Sequence, residues 1–543
     1  MLRPISFVFF LFILLSYITI TTSTPPYIAD ENFTINCGTS GNSPAEDLRV
    51  WVGDIGSKFA PTEDLNHKSN ASRAQIQASV GTVPYMTARL SYFPFTYVFI
   101  PVTPGPKFLR LYFYPASYSG FDKYKDYFTV KAGSFTLLRS FSASILADSL
   151  KKQTFVKEFC INVEKNKKLN LTFIPFSSNY YAFINGIEIV SMPTDLYYRP
   201  QGFKGEVPLY VGQASHQFNI NFNMTLEMVY RLNVGGGWIS SVQDTGMFRE
   251  WSADRDYLLS TGGVLPRNLS FTPTYSKIPN YIAPDDVYRS AMSMGTNISK
   301  NMVSNLTWGL PIDTGFNYLV RLHFCEIDPK IKFVGERVFI IYIDYQLAEQ
   351  RADIIFWTDS NDTPYFKDYV VMIQKKGEDN HTLSIDLHPG TDGTFIDAIL
   401  NGVEVFKLSN TDGNLAGPSM VPPLLDQQQP ANKYSTKKTI FIAIGSGVGF
   451  LIVLTLVCSM VLWKSKKTKR FGSYHPQPKW RCWPYPYKQK LTRTKASSLP
   501  EVLCRYFTLD ELETATNNFN EELIIGVGGF GNVYKGVIEQ GNV

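Results

Sequence analysis

The sequence predicts a mainly β chain: two β-sandwiches in tandem, one helix that crosses a membrane, and a short part beyond it. Three observations carry this expectation. Short runs of alternating apolar and polar residues, rich in Phe, Tyr, Val and Ile, fill residues 25–410, and Gly, Pro, Asn and Asp break them at short intervals. Short sequence signatures recur in the same order in the two halves of that region. Residues 439–463 (TIFIAIGSGVGFLIVLTLVCSMVLW) hold no charged side chain over a length that, at about 1.5 Å per residue, spans a bilayer core roughly 30 Å thick.

Residues 1–24 begin with Arg3, continue as an apolar run from Ile5 to Ile20, and end in Thr21, Thr22, Ser23 and Thr24. This is the pattern of a secretory signal peptide cleaved near residues 22–24, so the following region is expected on the lumenal side. Asn-x-Ser/Thr sequons occur at Asn32, Asn70, Asn170, Asn223, Asn268, Asn297, Asn305, Asn361 and Asn380, all before the apolar stretch. A one-sided distribution of this kind is expected of a secreted, glycosylated ectodomain.

Strands are expected at Lys107–Tyr114, Lys168–Phe173, Tyr318–Phe324 and Val338–Ile343. Asn36 matches Asn233, Trp51 and Asp54 match Trp251 and Asp254, Tyr85 and Ala88 match Tyr288 and Ala291, RLYF at Arg110 matches RLHF at Arg321, and INGIEI at Ile184 matches LNGVEV at Leu400. The offsets drift slowly upward, as loop insertions would make them drift. Two copies of one fold are therefore expected, at 28–195 and 226–410. The Asn185-Gly186 and Asn401-Gly402 pairs are read as type I′ turns, each joining a hairpin near the end of its sandwich.

The INCG start, the ARL and RLYF order and the paired INGIEI/LNGVEV signatures resemble the tandem malectin-like domains of plant receptor kinases of the FERONIA and THESEUS type. That resemblance implies two β-sandwiches side by side on a cell surface facing the wall. It also implies secreted alkalinising peptides (RALF type) and a small lipid-anchored co-receptor as partners. Wall carbohydrate is a further candidate ligand, since Phe and Tyr are abundant, but no position can be assigned to it, and core packing is the default for aromatics at alternating strand positions.

Catalysis in this region is not expected. Of six His, only His381 and His388 are close in sequence, at a spacing that fits no standard metal motif. Asp285-Asp286 reads as a turn or surface pair. Cys37, Cys160 and Cys325 are odd in number, so one disulfide at most could form and the stability must come from the cores.

Residues 411–438, rich in Pro, Gln, Asn and Gly, are expected to be an extended stalk. In the apolar stretch Gly445 and Gly449 form a GxxxG, a face suited to a homo- or heterodimer of helices. Residues 464–495 carry eleven Lys or Arg and no acidic residue, which places the C-terminal side in the cytoplasm. The whole reads as a single-pass type I protein of the plasma membrane with its N-terminus outside. Residues 464–543 hold 13 basic and 7 acidic side chains, a net of +6, leaving −1 for the rest of a chain whose formal charge is +5. The positive charge belongs to the tail, and no nucleic-acid partner is expected. Within the basic juxtamembrane segment 464–506, Trp480, Trp483, Tyr485 and Tyr487 alternate with cations, a composition suited to the inner leaflet.

In 507–543, Thr508 with Glu511 forms a capping box and Phe507 with Leu512 a hydrophobic staple, so a helix is expected from Leu509. Gly526, Gly528, Gly531 and Val533 follow as G-x-G-x-x-G-x-V, which as a β-hairpin would fold its backbone over nucleotide phosphates. Together with Ala515, Thr516, Phe519 and the VYKG after the loop, this resembles the start of plant receptor-like serine/threonine kinase domains. The resemblance implies ATP with Mg²⁺ in the full-length family. The next-strand Lys, H-R-D and D-F-G are absent from these 543 residues, so the chain is expected to be an incomplete kinase N-lobe, inactive alone, with no nucleotide bound stably. The alternative is a kinase-free binding protein acting as decoy, co-receptor or wall-carbohydrate lectin.

Overall fold

The computed structural model describes residues 26–417 and 509–542, apart from short internal stretches. The chain divides into two compact units, residues 1–429 and 430–543. The expected signal peptide, membrane helix and juxtamembrane segment lie outside the described residues. Among the described residues no helix is long and apolar enough to cross a membrane.

The first unit is built on one 12-stranded sheet that runs through both halves. From one edge its strands are Leu209–Tyr210, Tyr365–Ile373, Phe316–Phe324, Gly402–Leu408, Leu226–Asn233, Phe155–Val163, Gly105–Phe113, Gly186–Ser191, Asn32–Ser40, Val50–Ile55 and Asn42–Pro44, with Ser252–Ala253 beside Leu226–Asn233. The halves meet where Phe159 pairs with Glu227 and Cys160 with Leu226. A five-stranded sheet faces the first half of this platform and a four-stranded sheet the second, in matching strand order. Side chains alternate as strand geometry requires. In Gly105–Phe113, Leu109 and Leu111 enter the first core, while Phe108 is buried in the second cluster on the opposite face.

The residues between the halves are part of the second core and not a spacer. Met192, Leu196, Tyr197, Tyr198, Val211 and Ile220 are all buried there. Cys37, Cys160 and Cys325 are buried as free thiols, and burial pushes each of them up from its ordinary range.

Two expectations are corrected. Asn185-Gly186 and Asn401-Gly402 do not form type I′ turns, since none of the four residues has positive φ. Ala182–Ile184 and Gly186–Ser191 belong to different sheets, as do Ile399–Leu400 and Gly402–Leu408, so each pair marks a crossing between sheets. Glycine is required there for space. A Cβ on Gly186 would sit 2.5 Å from Pro84 and 2.9 Å from the Trp51 ring, and one on Gly402 2.7 Å from Val287.

The stalk does not begin at residue 411. Thr136 N–H donates to Gly413 O (3.0 Å) and Leu415 N–H to Thr136 O (2.9 Å), while Leu415 is fully buried in the first core. Ser409 N–H donates to Thr225 O (2.9 Å), extending the pairing of Leu226 with Leu408, and it is through Thr136 that the segment leaving the second half is bound back to the first. Polar composition concealed this, because one leucine and backbone hydrogen bonds do the anchoring. Leu415→Ala is expected to destabilise this unit by about 2–3 kcal/mol, as cavity formation in a core does. Urea unfolding of wild type and variant measures it, and an unchanged midpoint would mean that residues 411–417 are a free tether.

In the second unit, Leu509–Ala515 is helical as expected, although the capping residue Thr508 lies outside the described residues. Ile524–Gly528 and Gly531–Tyr534 pair antiparallel, with Gly528 opposite Gly531.

Candidate functional site

The densest group of ionisable side chains in the first unit lies on the face of the large sheet that carries Phe108, opposite the first core. Strand register lines up Glu188 with Arg110, Arg110 with Glu158, Arg231 with Glu404, Glu404 with Arg321, and Arg321 with Asp368. Arg110 bonds Glu158 (2.5 Å) and Glu188 (2.8 Å). Arg231 crosses the junction between the halves, bonding Glu158 (2.8 Å) on one side and Glu404 (2.9 Å) on the other. Arg321 and Arg199 both bond Asp368, at 2.7 and 2.6 Å. A second row joins Lys157, Glu227, Lys407 and Asp313 at 2.6–2.8 Å.

The segment between the halves closes over this row. Tyr197 O–H donates to Glu404 (2.6 Å) and Arg321 donates to Leu196 O (2.7 Å), while a loop of the second half adds Met247 O, which accepts from Arg110 (3.0 Å). Burial alone would push the Glu158 carboxyl up, but Arg231 and Arg110 outweigh it and hold the group at about 2. Glu404 is likewise held well below the carboxylate range, as the His323 hydrogen bond and Arg231 outweigh its burial. Buried carboxylates each paired with a guanidinium, with no opening to solvent, make a structural device and not a catalytic one.

His323 sits in this row, fully buried between Tyr288 O–H (3.0 Å from Nδ1) and Glu404 (3.1 Å from Nε2). Burial pulls it below its ordinary value, outweighing Glu404, so the imidazole is neutral and donates from Nε2. The sign follows from its depressed folded value. The unfolded chain takes up a proton as pH falls below about 6.5, and the folded chain takes it up only at lower pH. Stability linked to this residue is therefore complete above that pH and declines below it, by at most about 1.4 kcal/mol per pH unit. The loss of stability between pH 7.5 and 5.5 should be smaller in His323→Gln than in wild type, as read by urea unfolding at both pH values. Identical losses would show that His323 does not titrate on unfolding.

Among the described residues, solvent reaches a cleft of about 730 Å³ at the outer edge of the second half. Its floor includes Val211 and Ile373, and its walls include Tyr210, Gln213, Asp344, Tyr345, Gln346, Met372, Asn380 and His381. His381 Nε2 lies 2.6 Å from Asp344, which closes one wall. The sequence pointed to no such cleft; it is assembled from a sheet edge and a hairpin tip far apart in the chain.

The sequence-derived candidates fall as follows. Asn32, Asn70, Asn223, Asn297, Asn305 and Asn380 are exposed, Asn170 and Asn361 are half-buried, and Asn268 lies in the strand Leu265–Asn268. The structure does not bring His381 and His388 together: His388 meets Asn305 at 2.8 Å. Asp285 and Asp286 occupy the first turn of a short helix and pair with Arg289. Gly526 and Gly528 lie on one strand of the second unit's hairpin, Gly531 and Val533 on the other.

The equivalent bonds in the two halves tie this geometry to a known fold. Asp54 accepts from Gly38 N–H (2.9 Å) and Asp254 from Gly235 N–H (3.0 Å). Asn185 accepts from Tyr114 N–H and Asn401 from Cys325 N–H, both at 2.7 Å. Residues 35–408 match the family model described as the malectin-like domain. The chain belongs to the malectin-like family. It is similar to the receptor-like protein kinase FERONIA of Arabidopsis thaliana, 41% identical over 545 residues that cover 96% of this chain and 60% of the relative. The chain thus spans about 60% of the length of that curated relative. Among solved structures, the crystal structure of the plant receptor-like kinase FER aligns with a TM-score of 0.65 and 44% identity, over 72% of this malectin-like chain and all of that one. FER in complex with the plant peptide RALF23 and LLG2 aligns with a TM-score of 0.64 and 44% identity, over 73% of this chain and all of that one. The expected resemblance, the mainly β class and the malectin-like ectodomain fold are borne out.

Proposed function

We propose that this malectin-like chain is the receptor part of a single-pass plasma-membrane receptor-like serine/threonine kinase that binds secreted RALF-type peptides together with a small lipid-anchored co-receptor. The observation that carries the reading is the 44% identity with FER in its complex with RALF23 and LLG2 across 73% of this chain. The sequence adds a signal peptide, one-sided sequons, an apolar stretch and a basic inner flank, which together support a glycosylated type I topology with residues 439–463 as the span. In this reading the membrane and the inner-leaflet lipids are standing partners, and the GxxxG at Gly445 and Gly449 allows pairing of receptors.

The glycine hairpin fits a phosphate-covering role. Gly528 and Gly531 face each other at its tip, where bulkier residues would keep the backbone from a nucleotide. ATP with Mg²⁺ would supply the phosphoryl group in the longer protein, while Gly526, Gly528 and Gly531 would cover the phosphates and Val533 would pack on the base.

Binding of a synthetic RALF-type peptide to the full chain, with and without the soluble co-receptor domain, tests the receptor reading. The expected result is tight binding only when both are present. No binding with any peptide and co-receptor pair would remove it. Reading the coding frame beyond Val543 tests the kinase assignment separately, through the presence or absence of the Lys-bearing strand, H-R-D and D-F-G.

A further inference from the structure

The cleft has an owner within its own chain. One of its wall residues, Asn380, is exposed and begins the sequon Asn380-His381-Thr382. The neighbouring rim is the tip of the hairpin formed by Phe339–Ile343 and Gln346–Ala352, where Asp344 and Tyr345 both adopt positive φ, 50° and 61°. Left-handed backbone is costly for a bulky residue such as tyrosine. The turn is nonetheless fixed, since Asp344 N–H donates to Ser384 O (2.9 Å) and its carboxylate meets His381. The result is a phenol ring held 79% exposed, with the half-exposed Met372 lining the same cleft.

We propose that the N-linked glycan of Asn380 folds back into this cleft, its first N-acetylglucosamine units lying against Tyr345 and Met372. This rests on the reading of residues 25–438 as extracytoplasmic. An N-acetylglucosamine ring offers an apolar C–H face for the aromatic ring and the thioether. Its hydroxyls and acetamide match the Gln213 and Gln346 amides and the Asp344 carboxylate. The volume is within the range of roughly 300–1,000 Å³ typical of small-molecule sites. The tether is decisive. A group attached to the wall is present at an effective concentration on the order of millimolar, so a free ligand must displace it.

The test uses the full chain made in glycosylating cells, with Asn380→Gln and Thr382→Ala as two ways to remove the sequon. Glycopeptide mass spectrometry reads occupancy, and hydroxyl-radical footprinting reads Tyr345 and Met372, with the exposed Tyr124 as reference. The expected result is a glycan on Asn380 and several-fold slower oxidation of Tyr345 and Met372 in wild type than in either variant, with Tyr124 unchanged. Trimming folded wild type to a single sugar with an endoglycosidase should partly restore reactivity, which keeps the test valid if a variant misfolds. Equal reactivity with and without the glycan overturns the proposal, as does an unmodified Asn380 beside occupied sequons elsewhere. Absence of sugar from every sequon overturns the extracytoplasmic reading as well.

Discussion

Replacing Arg231 with alanine is expected to destabilise the malectin-like unit by about 3–5 kcal/mol, the cost of leaving a buried charge without its partner. The guanidinium is nearly inaccessible, and it is the one link in the row between Glu158 of the first half and Glu404 of the second. Its removal takes one guanidinium from each of two buried carboxylates. Glu404 keeps the Tyr197 O–H and the His323 N–H, whereas Glu158 keeps only Arg110 among the bonds described. The damage should therefore be greater on the first-half side of the junction. Hydrogen exchange would show it as faster exchange in Phe155–Val163 and Leu226–Asn233, the strands that meet there. Arg139, exposed on the opposite sheet, is the control, and its alanine variant should change stability by less than about 0.5 kcal/mol. A midpoint for Arg231→Ala equal to that of Arg139→Ala would mean that the row contributes nothing to holding the halves together. Replacement of Arg231 by methionine tests whether burial or charge matters more, since it preserves stem packing while still removing the guanidinium between the carboxylates.

The repeated motifs visible in the sequence turn out to be the functional parts of this sheet. RLYF and RLHF supply Arg110 and Arg321, and INGIEI and LNGVEV supply Glu188 and Glu404, which lie opposite those arginines in equivalent registers. INGIEI and LNGVEV each also hold one buried asparagine and one space-limited glycine. The class, the repeat and the strands around these motifs were legible because hydrophobic alternation and local signatures survive in one dimension. The pairing of Glu158 with Arg231 was not, because it joins strands about seventy residues apart across a junction that has no counterpart inside either repeat. Nor was the burial of the row, which depends on two separate stretches, around Tyr197 and around Met247, folding over it. Asn-Gly was misread for a related reason. The dipeptide is a strong local turn signal, but here glycine answers a steric demand from Pro84, Trp51 and Val287, which only the fold brings near. The return of Leu415 to the first core left no periodic signal, since a single leucine in a polar run has no pattern.

Asn401→Ala is expected to cost on the order of 4–6 kcal/mol, because three buried backbone groups lose their partners at about 1–3 kcal/mol each. Its Oδ1 accepts from Cys325 N–H at 2.7 Å, and its Nδ2 donates to Ser290 O at 2.8 Å and to Tyr288 O at 3.3 Å. The amide thus ties the crossing between sheets to the strands on either side of it. Asn185 does the same in the first half, with Tyr114 N–H, Tyr85 O and Thr87 O as partners and Tyr118 O–H as a fourth contact. Asn401→Asp separates this role from that of a turn residue. Aspartate serves as well as asparagine before glycine in a type I′ turn, but in the latch it removes both donors and buries a charge against two carbonyls. The aspartate variant should therefore be at least as unstable as the alanine variant when chemical unfolding is followed. Because Asn185 and Asn401 serve different cores, the losses from Asn185→Ala and Asn401→Ala should also add to within about 0.5 kcal/mol. A tolerated Asn401→Asp would restore the hairpin-turn role, and a combined loss well below the sum would mean that the two latches act as one.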